Sequence, residues 1–202
     1  MPYSGKTTFA KYLSKNMGYP VVEGDVLDTM YALTIMKTPK ARAEFLSLVK
    51  NYGEERAMGI IESRVTKLSA AKIVDLFGSN YGVITESVGF IQQSERTLLK
   101  DKVKERLDSI AELYWMETDL DTCLQRHREY QKGSRATQGL WLPSRPHEIR
   151  GRQDLTEDFV MKLWNRTQMP AKQEGFDKIF YVTAVSHGQY QIMEQPTRPS
   201  AG

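Results

Sequence analysis

Apolar residues recur at helical spacing right behind the opening residues. Phe9, Ala10, Leu13 and Met17 follow Ser4-Gly5-Lys6-Thr7-Thr8, and Gly18 supplies a stop. Tyr19-Pro20-Val21-Val22 then reads as a short buried strand running into Glu23-Gly24-Asp25, which sets carboxylates at a strand's carboxyl end. From about Val26 to Leu76 the composition turns helical, and two or three helices are expected, with Pro39, Gly53 and Gly59 as breaks. A second strand, Gly82-Val83-Ile84-Thr85, ends at Glu86, and a charged helix occupies Ser94 to about Leu107. Ile110 to Met116 makes a third strand. The helix expected from Asp119 to Gln131 has Thr118 as its N-cap and carries Arg126 and Arg128 toward its end. A further helix is expected from near Leu155 to just before Pro170, then a last strand from Lys178 to Thr183. The polar, proline-bearing residues 191–202 read as a frayed, disordered tail. Strands separated by helical stretches predict an α/β fold, a parallel sheet with helices on both faces, in one domain over residues 1–190.

Composition narrows the class. Among 202 residues, 40% are hydrophobic and 26% charged, so the chain is neither a disordered nor a membrane sequence, and no apolar run approaches the ~18 residues of a spanning helix. Its single cysteine, Cys123, closes no internal bridge and reads as a small buried apolar residue. With no secretory layout at the N-terminus, the expected compartment is the cytoplasm, with no membrane partner and no obligate protein partner. A net charge of +3 is too small for a chain wrapped in nucleic acid. His127, His147 and His187 have no metal-site spacing and read as surface residues.

The chemistry is concentrated at the start. A phosphate loop has the form G-x-x-x-x-G-K-[ST]: backbone N–H groups surround phosphates, the lysine reaches the β- and γ-phosphates, and the hydroxyl meets Mg²⁺. Gly5, Lys6 and Thr7 match its end. The first glycine would precede Met1, and the strand that should feed the loop is missing as well. A chain truncated before that strand, with Met1 an internal methionine of a longer protein, is the expected explanation. The competing reading is a chance loop-to-helix junction; against it stand the amphipathic helix that follows and the acid-ended strand beyond.

Several stretches together resemble small P-loop kinases such as the kinase domain of polynucleotide kinase, with zeta-toxin-type kinases as more distant relatives. PYSGKTTFA is similar to that family's phosphate loop, VVEGDVLD to its strand and aspartate-bearing loop, and GVITES to a strand ending in an acid. LQRHREY resembles the arginine-bearing helix that leads into a lid, and Pro170 followed by EGFDKI resembles the closing signature before the last strand. The resemblance implies a three-layer P-loop kinase fold over residues 1 to about 183, with a helical acceptor-side insertion at 26–76 and an arginine-rich lid at 126–154. It implies ATP and Mg²⁺ as cofactors and a nucleoside, a nucleic-acid 5′ end or a small metabolite as phosphoryl acceptor. Pro2, Tyr3, Ser4, Gly5, Lys6, Thr7 and Thr8 would then bind nucleotide. Lys6 would neutralise the transferring group, and Thr7 and Glu86 would serve the metal. Asp25 would be the base on the acceptor hydroxyl; its place before VLDTMYAL suits a helix N-cap equally. Glu86 stands where the family has aspartate, and a structural salt bridge is its other reading. Asp28 replaces an arginine that clamps acceptor phosphate, which weakens a polynucleotide reading.

Seven basic residues against two acidic ones lie between Arg126 and Arg152, more than the whole chain's excess. Arginines clamp phosphate bidentately and stabilise charge on a transferring group. The resemblance ranks Arg126 first and Arg128 second as catalytic, with Arg135 on the nucleotide; the plain alternative for each is a solvated basic face. Two other functions stay open: a nucleoside monophosphate kinase, whose phosphate acceptor needs no base, and a nucleotide-binding module without catalysis.

Overall fold

In the computed structural model, residues 3–24, 38–87, 89–136, 156–186 and 188–195 are described. α1 (Lys6–Met17) forms on the expected apolar spacing and buries Phe9, Ala10 and Leu13; Gly18, left-handed at φ 72°, ends it by donating its N–H to the Ser14 carbonyl. β1 (Val21–Glu23) follows. Within the helical stretch, α2 (Pro39–Tyr52) starts at its proline, and Gly53 separates it from α3 (Glu54–Phe77). Gly59 breaks nothing, because α3 runs through it. β2 (Ile84–Glu86), α4 (Gln93–Lys104), β3 (Glu112–Met116), α5 (Leu120–Ala136), α6 (Glu157–Asn165) and β4 (Lys178–Ser186) come next in order.

The chain is α/β, but its strands form two sheets among the described residues rather than one parallel sheet. β1 pairs with β2 in parallel, and β3 with β4 in parallel. The start of the expected tail, residues 191–194, instead belongs to β5 (Gln189–Glu194), antiparallel to β4. The fold therefore reaches Glu194, and the second sheet is mixed. Residues 196–202 of that tail lie outside the described part, as do 137–154 of the expected lid and 26–37 of the expected insertion.

The register explains the layering. Val22 sits opposite Thr85, and Val21 opposite Ile84, so the two rows face opposite sides of the β1–β2 pair. Val22 packs with Ala70 and Ile73 of α3 and Leu99 of α4. Ile84 packs against Phe9 and Leu13 of α1, a cluster that also takes in Tyr114 and Met116 of β3 and Val182 of β4. Helix α1 thus touches side chains of both sheets. On β3 the row between these residues carries Trp115, over which the guanidinium of Arg96 from α4 lies at 5.5 Å. α5 and α6 meet through Cys123, Leu124 and Val160. Cys123 is a free, fully buried thiol, as its reading as an apolar residue expects, and burial pushes its pKa up.

Candidate phosphate site at the start of α1

The N-terminus of α1 collects the chemistry. A helix start holds amide donors outside the helical ladder and a partial positive charge. Here no acidic side chain opposes it in the first turn. The residue before the helix, Gly5, is left-handed at φ 94°, a conformation an L side chain resists. Two residues earlier Tyr3 sits at φ 61°, the one non-glycine residue in that region among the described positions. The strain is held by packing: the Tyr3 ring meets His127 edge-on at 5.2 Å and lies 6.0 Å from the ring of Tyr130, both on α5.

Three separate stretches converge on this loop. Lys6 Nζ lies 3.1 Å from Glu86 Oε2 at the end of β2, with 19% of the lysine side chain exposed and 7% of the glutamate's. Arg126 of α5 donates from Nη1 to the Tyr3 carbonyl at 3.0 Å, and the same nitrogen is 3.6 Å from where a Cβ on Gly5 would sit. Thr118, just beyond β3, donates its hydroxyl to the Ser4 carbonyl at 2.9 Å. Ser4 is buried, Thr7 half-buried and Thr8 exposed. On the far side Gly24 follows β1 so closely against Ser87 that an added Cβ would stand 2.6 Å from the serine Cβ. Any side chain there would push β1 and β2 apart at their carboxyl ends.

Several expectations need correction. Thr118 does not cap α5. That role falls to Asp119, whose Oδ1 accepts the Thr122 N–H at 2.7 Å, and these hydrogen bonds hold its carboxyl below the usual range. Arg128 does not join Arg126. Two residues along a helix turn the side chain by about 200°, and Arg128 forks onto Glu157 of α6, at 2.7 and 2.8 Å, with both partners exposed. His127 is not a surface residue: it is 4% exposed, with Nδ1 buried and lacking a hydrogen-bond partner among the described residues. The helix expected to stop at Gln131 continues to Ala136, which places the backbone of Arg135 in its last turn; the side chain of Arg135 lies outside the described part. Pro2, Asp25, Asp28, His147 and His187 lie outside it as well.

Thr118 was the neighbour of the loop that sequence reasoning missed, since a hydroxyl before a helix resembles a cap whichever way it points. The closing signature is explained by packing. Glu174 is fully buried against Arg96, while Asp177 accepts the Ala111 N–H at 2.7 Å and Lys104 Nζ at 2.8 Å, which lowers its pKa.

Among the described residues no group of three or more His, Cys, Asp or Glu is arranged for a metal. A nucleotide's Mg²⁺ asks for less. It keeps several waters and takes phosphate oxygens with one or two protein oxygens, and the Glu86 carboxylate with the Thr7 hydroxyl is a donor set of that kind. No helix of the described residues is long and apolar enough to cross a membrane. No family model matches the chain, and neither does any curated protein or solved structure.

Proposed function

We propose that the chain is a P-loop phosphotransferase that moves the γ-phosphate of ATP, with Mg²⁺, to a hydroxyl acceptor. The observation that carries this reading is the convergence of Lys6, Glu86 and Arg126 on a left-handed glycine at the start of a twelve-residue helix. Phosphoryl transfer asks the protein for charge stabilisation and alignment more than for covalent chemistry, and these groups supply that. The helix N-terminus binds phosphate oxygens, and Lys6 exchanges Glu86 for the transferring group. Glu86 and Thr7 are the oxygen donors for Mg²⁺, which when bound neutralises charge on the phosphates. Asp25 follows Gly24 directly and is the proposed base on the acceptor hydroxyl. β2 and β3, whose ends flank the loop, each keep one edge without a strand partner among the described residues. That pattern is compatible with the resemblance, in which a further strand feeds the loop.

The test is direct. ATP with Mg²⁺ should raise the melting temperature of the wild-type chain, because a ligand that binds only the native state stabilises it. Lys6→Ala should remove that rise and all γ-phosphate transfer to a panel of nucleosides, 5′-hydroxyl oligonucleotides and polyols, while leaving the far-UV circular dichroism unchanged. ATP stabilisation undiminished in Lys6→Ala would sink the assignment.

A further inference from the structure

Two successive loop carbonyls are held by side chains from one neighbouring segment. Arg126 takes the carbonyl of Tyr3, and Thr118 takes that of Ser4. A trans peptide is planar, so its C=O and the following N–H point in opposite directions. Fixing the Ser4 carbonyl toward the β3–α5 connection therefore aims the Gly5 N–H away from it, and Arg126 does the same for the Ser4 N–H. Were either peptide to flip, an acceptor oxygen would replace a donor in the space an anion must enter. Positive φ on both sides of Ser4, 61° at Tyr3 and 94° at Gly5, belongs to tight-turn backbone of the kind in which successive N–H groups can form an anion-binding concavity. For tyrosine this conformation is unfavourable on its own and needs outside support.

We infer that Thr118 is a positioning residue of the anion site: its hydroxyl locks the Ser4–Gly5 peptide with the N–H available to a polyphosphate chain. Arg126 is its companion on the Tyr3–Ser4 peptide, so part of Arg126's contribution comes from holding the loop open. The inference rests on the phosphate-loop reading above and adds a residue to it. Thr118 touches no ligand in this scheme, and its effect passes through the backbone of the loop.

Inorganic tripolyphosphate, titrated into the full chain by calorimetry without metal, is the probe, so no turnover is needed. Thr118→Val keeps the shape and removes the donor; Thr118→Ser keeps the donor and removes the methyl. We expect Thr118→Val to bind about tenfold more weakly, the scale of one lost hydrogen bond, and Thr118→Ser to stay within about twofold of wild type. Melting temperatures of both should remain close to wild type. Equal affinity in wild type and Thr118→Val overturns the inference, and so does an equal loss in Thr118→Val and Thr118→Ser, which would assign the effect to packing of the methyl. If Thr118→Val fails to fold, Thr118→Ala replaces it under the same criteria. Lys6→Ala separates the two levels. When it loses binding but Thr118→Val does not, only the positioning role falls; when wild type itself does not bind tripolyphosphate, the phosphate-loop reading falls and the inference with it.

Discussion

Two ion pairs of this molecule have nearly the same ingredients and opposite designs. Arg96 and Glu174 are almost completely buried, at 1% and 0% side-chain exposure, and each is bonded close to saturation. The guanidinium forks onto both carboxylate oxygens at 2.7 and 2.6 Å and donates from Nη1 to the carbonyls of Phe90 and Gln168. Glu174 Oε1 also accepts the Ala171 N–H, its backbone carbonyl accepts Lys100 Nζ, and Trp115 roofs the guanidinium. Lys6 and Glu86 instead meet at 3.1 Å beside a helix N-terminus, and the lysine keeps a solvent-facing side. The first pair ties α4 to the segments of Phe90, Gln168 and Glu174, whereas the second lies at the start of α1. What separates the two pairs is burial: one is closed off from solvent on both sides, and the other keeps part of its lysine exposed.

The comparison breaks most sharply at the saturated pair. Removing one partner of a buried ion pair leaves a charge with neither water nor counter-charge, a loss of about 3–5 kcal/mol, while replacing both by apolar groups of similar size is far milder. Arg96→Ala and Glu174→Ala should therefore each lower unfolding stability by about 3–5 kcal/mol in urea titrations. Arg96→Met with Glu174→Leu should recover a large part of that. A double variant as unstable as the sum of the singles would mean that the hydrogen bonds to Phe90 and Gln168, and not the charge pairing, hold this corner together.

The loop pair should respond in the other direction. Glu86→Gln keeps the shape and removes the charge that holds Lys6, whose exposed side remains hydrated. Tripolyphosphate without metal then binds a lysine that need not leave a carboxylate first, and calorimetry should show affinity a few-fold higher than wild type, a change of about 1 kcal/mol. Unchanged or weaker binding would show that the pair does not hold Lys6 back from an anion, and the contrast with Arg96–Glu174 would lose its functional half.

What was legible in the sequence follows the same division between local and distant causes. Helix α1, its stop at Gly18, the acid-ended strand at Glu86 and the arginine on α5 announce themselves within a few residues, through apolar spacing, a left-handed glycine and a strand boundary. The closing EGFD was visible as a pattern, but its reason was not, since Glu174 meets Arg96 across 78 positions. Thr118 was legible as a hydroxyl before a helix, and only the fold turns it to Ser4. β5 shows only a short alternation, Tyr190 and Ile192 between glutamines, because it is an edge strand with most of its residues exposed, and its Tyr190 ring, packed on Phe9 at 4.9 Å, is one residue in six. The division of the strands between two sheets was equally out of reach, because pairing is a long-range property that propensity does not encode.

The smallest effect belongs to a third pair, which the comparison predicts to be neither structural nor functional. Arg128 and Glu157 join α5 to α6 with near-ideal forked geometry, yet both are exposed, and solvent screens what they gain. The hydrogen bond and charge of Arg128 hold the Glu157 carboxyl below its ordinary value. Because the folded pKa is depressed, the stability it contributes is present above the unfolded glutamate pKa and is lost as pH falls through the folded one. The urea midpoints of wild type and Glu157→Gln should therefore differ slightly at neutral pH, converge as the solution is acidified through the carboxylate range, and converge again at neutral pH when salt is raised. A gap that persists in acid would point to packing of the Glu157 side chain instead of its charge. A gap as large as that of Glu174→Ala would overturn the ranking of the three pairs by burial and saturation.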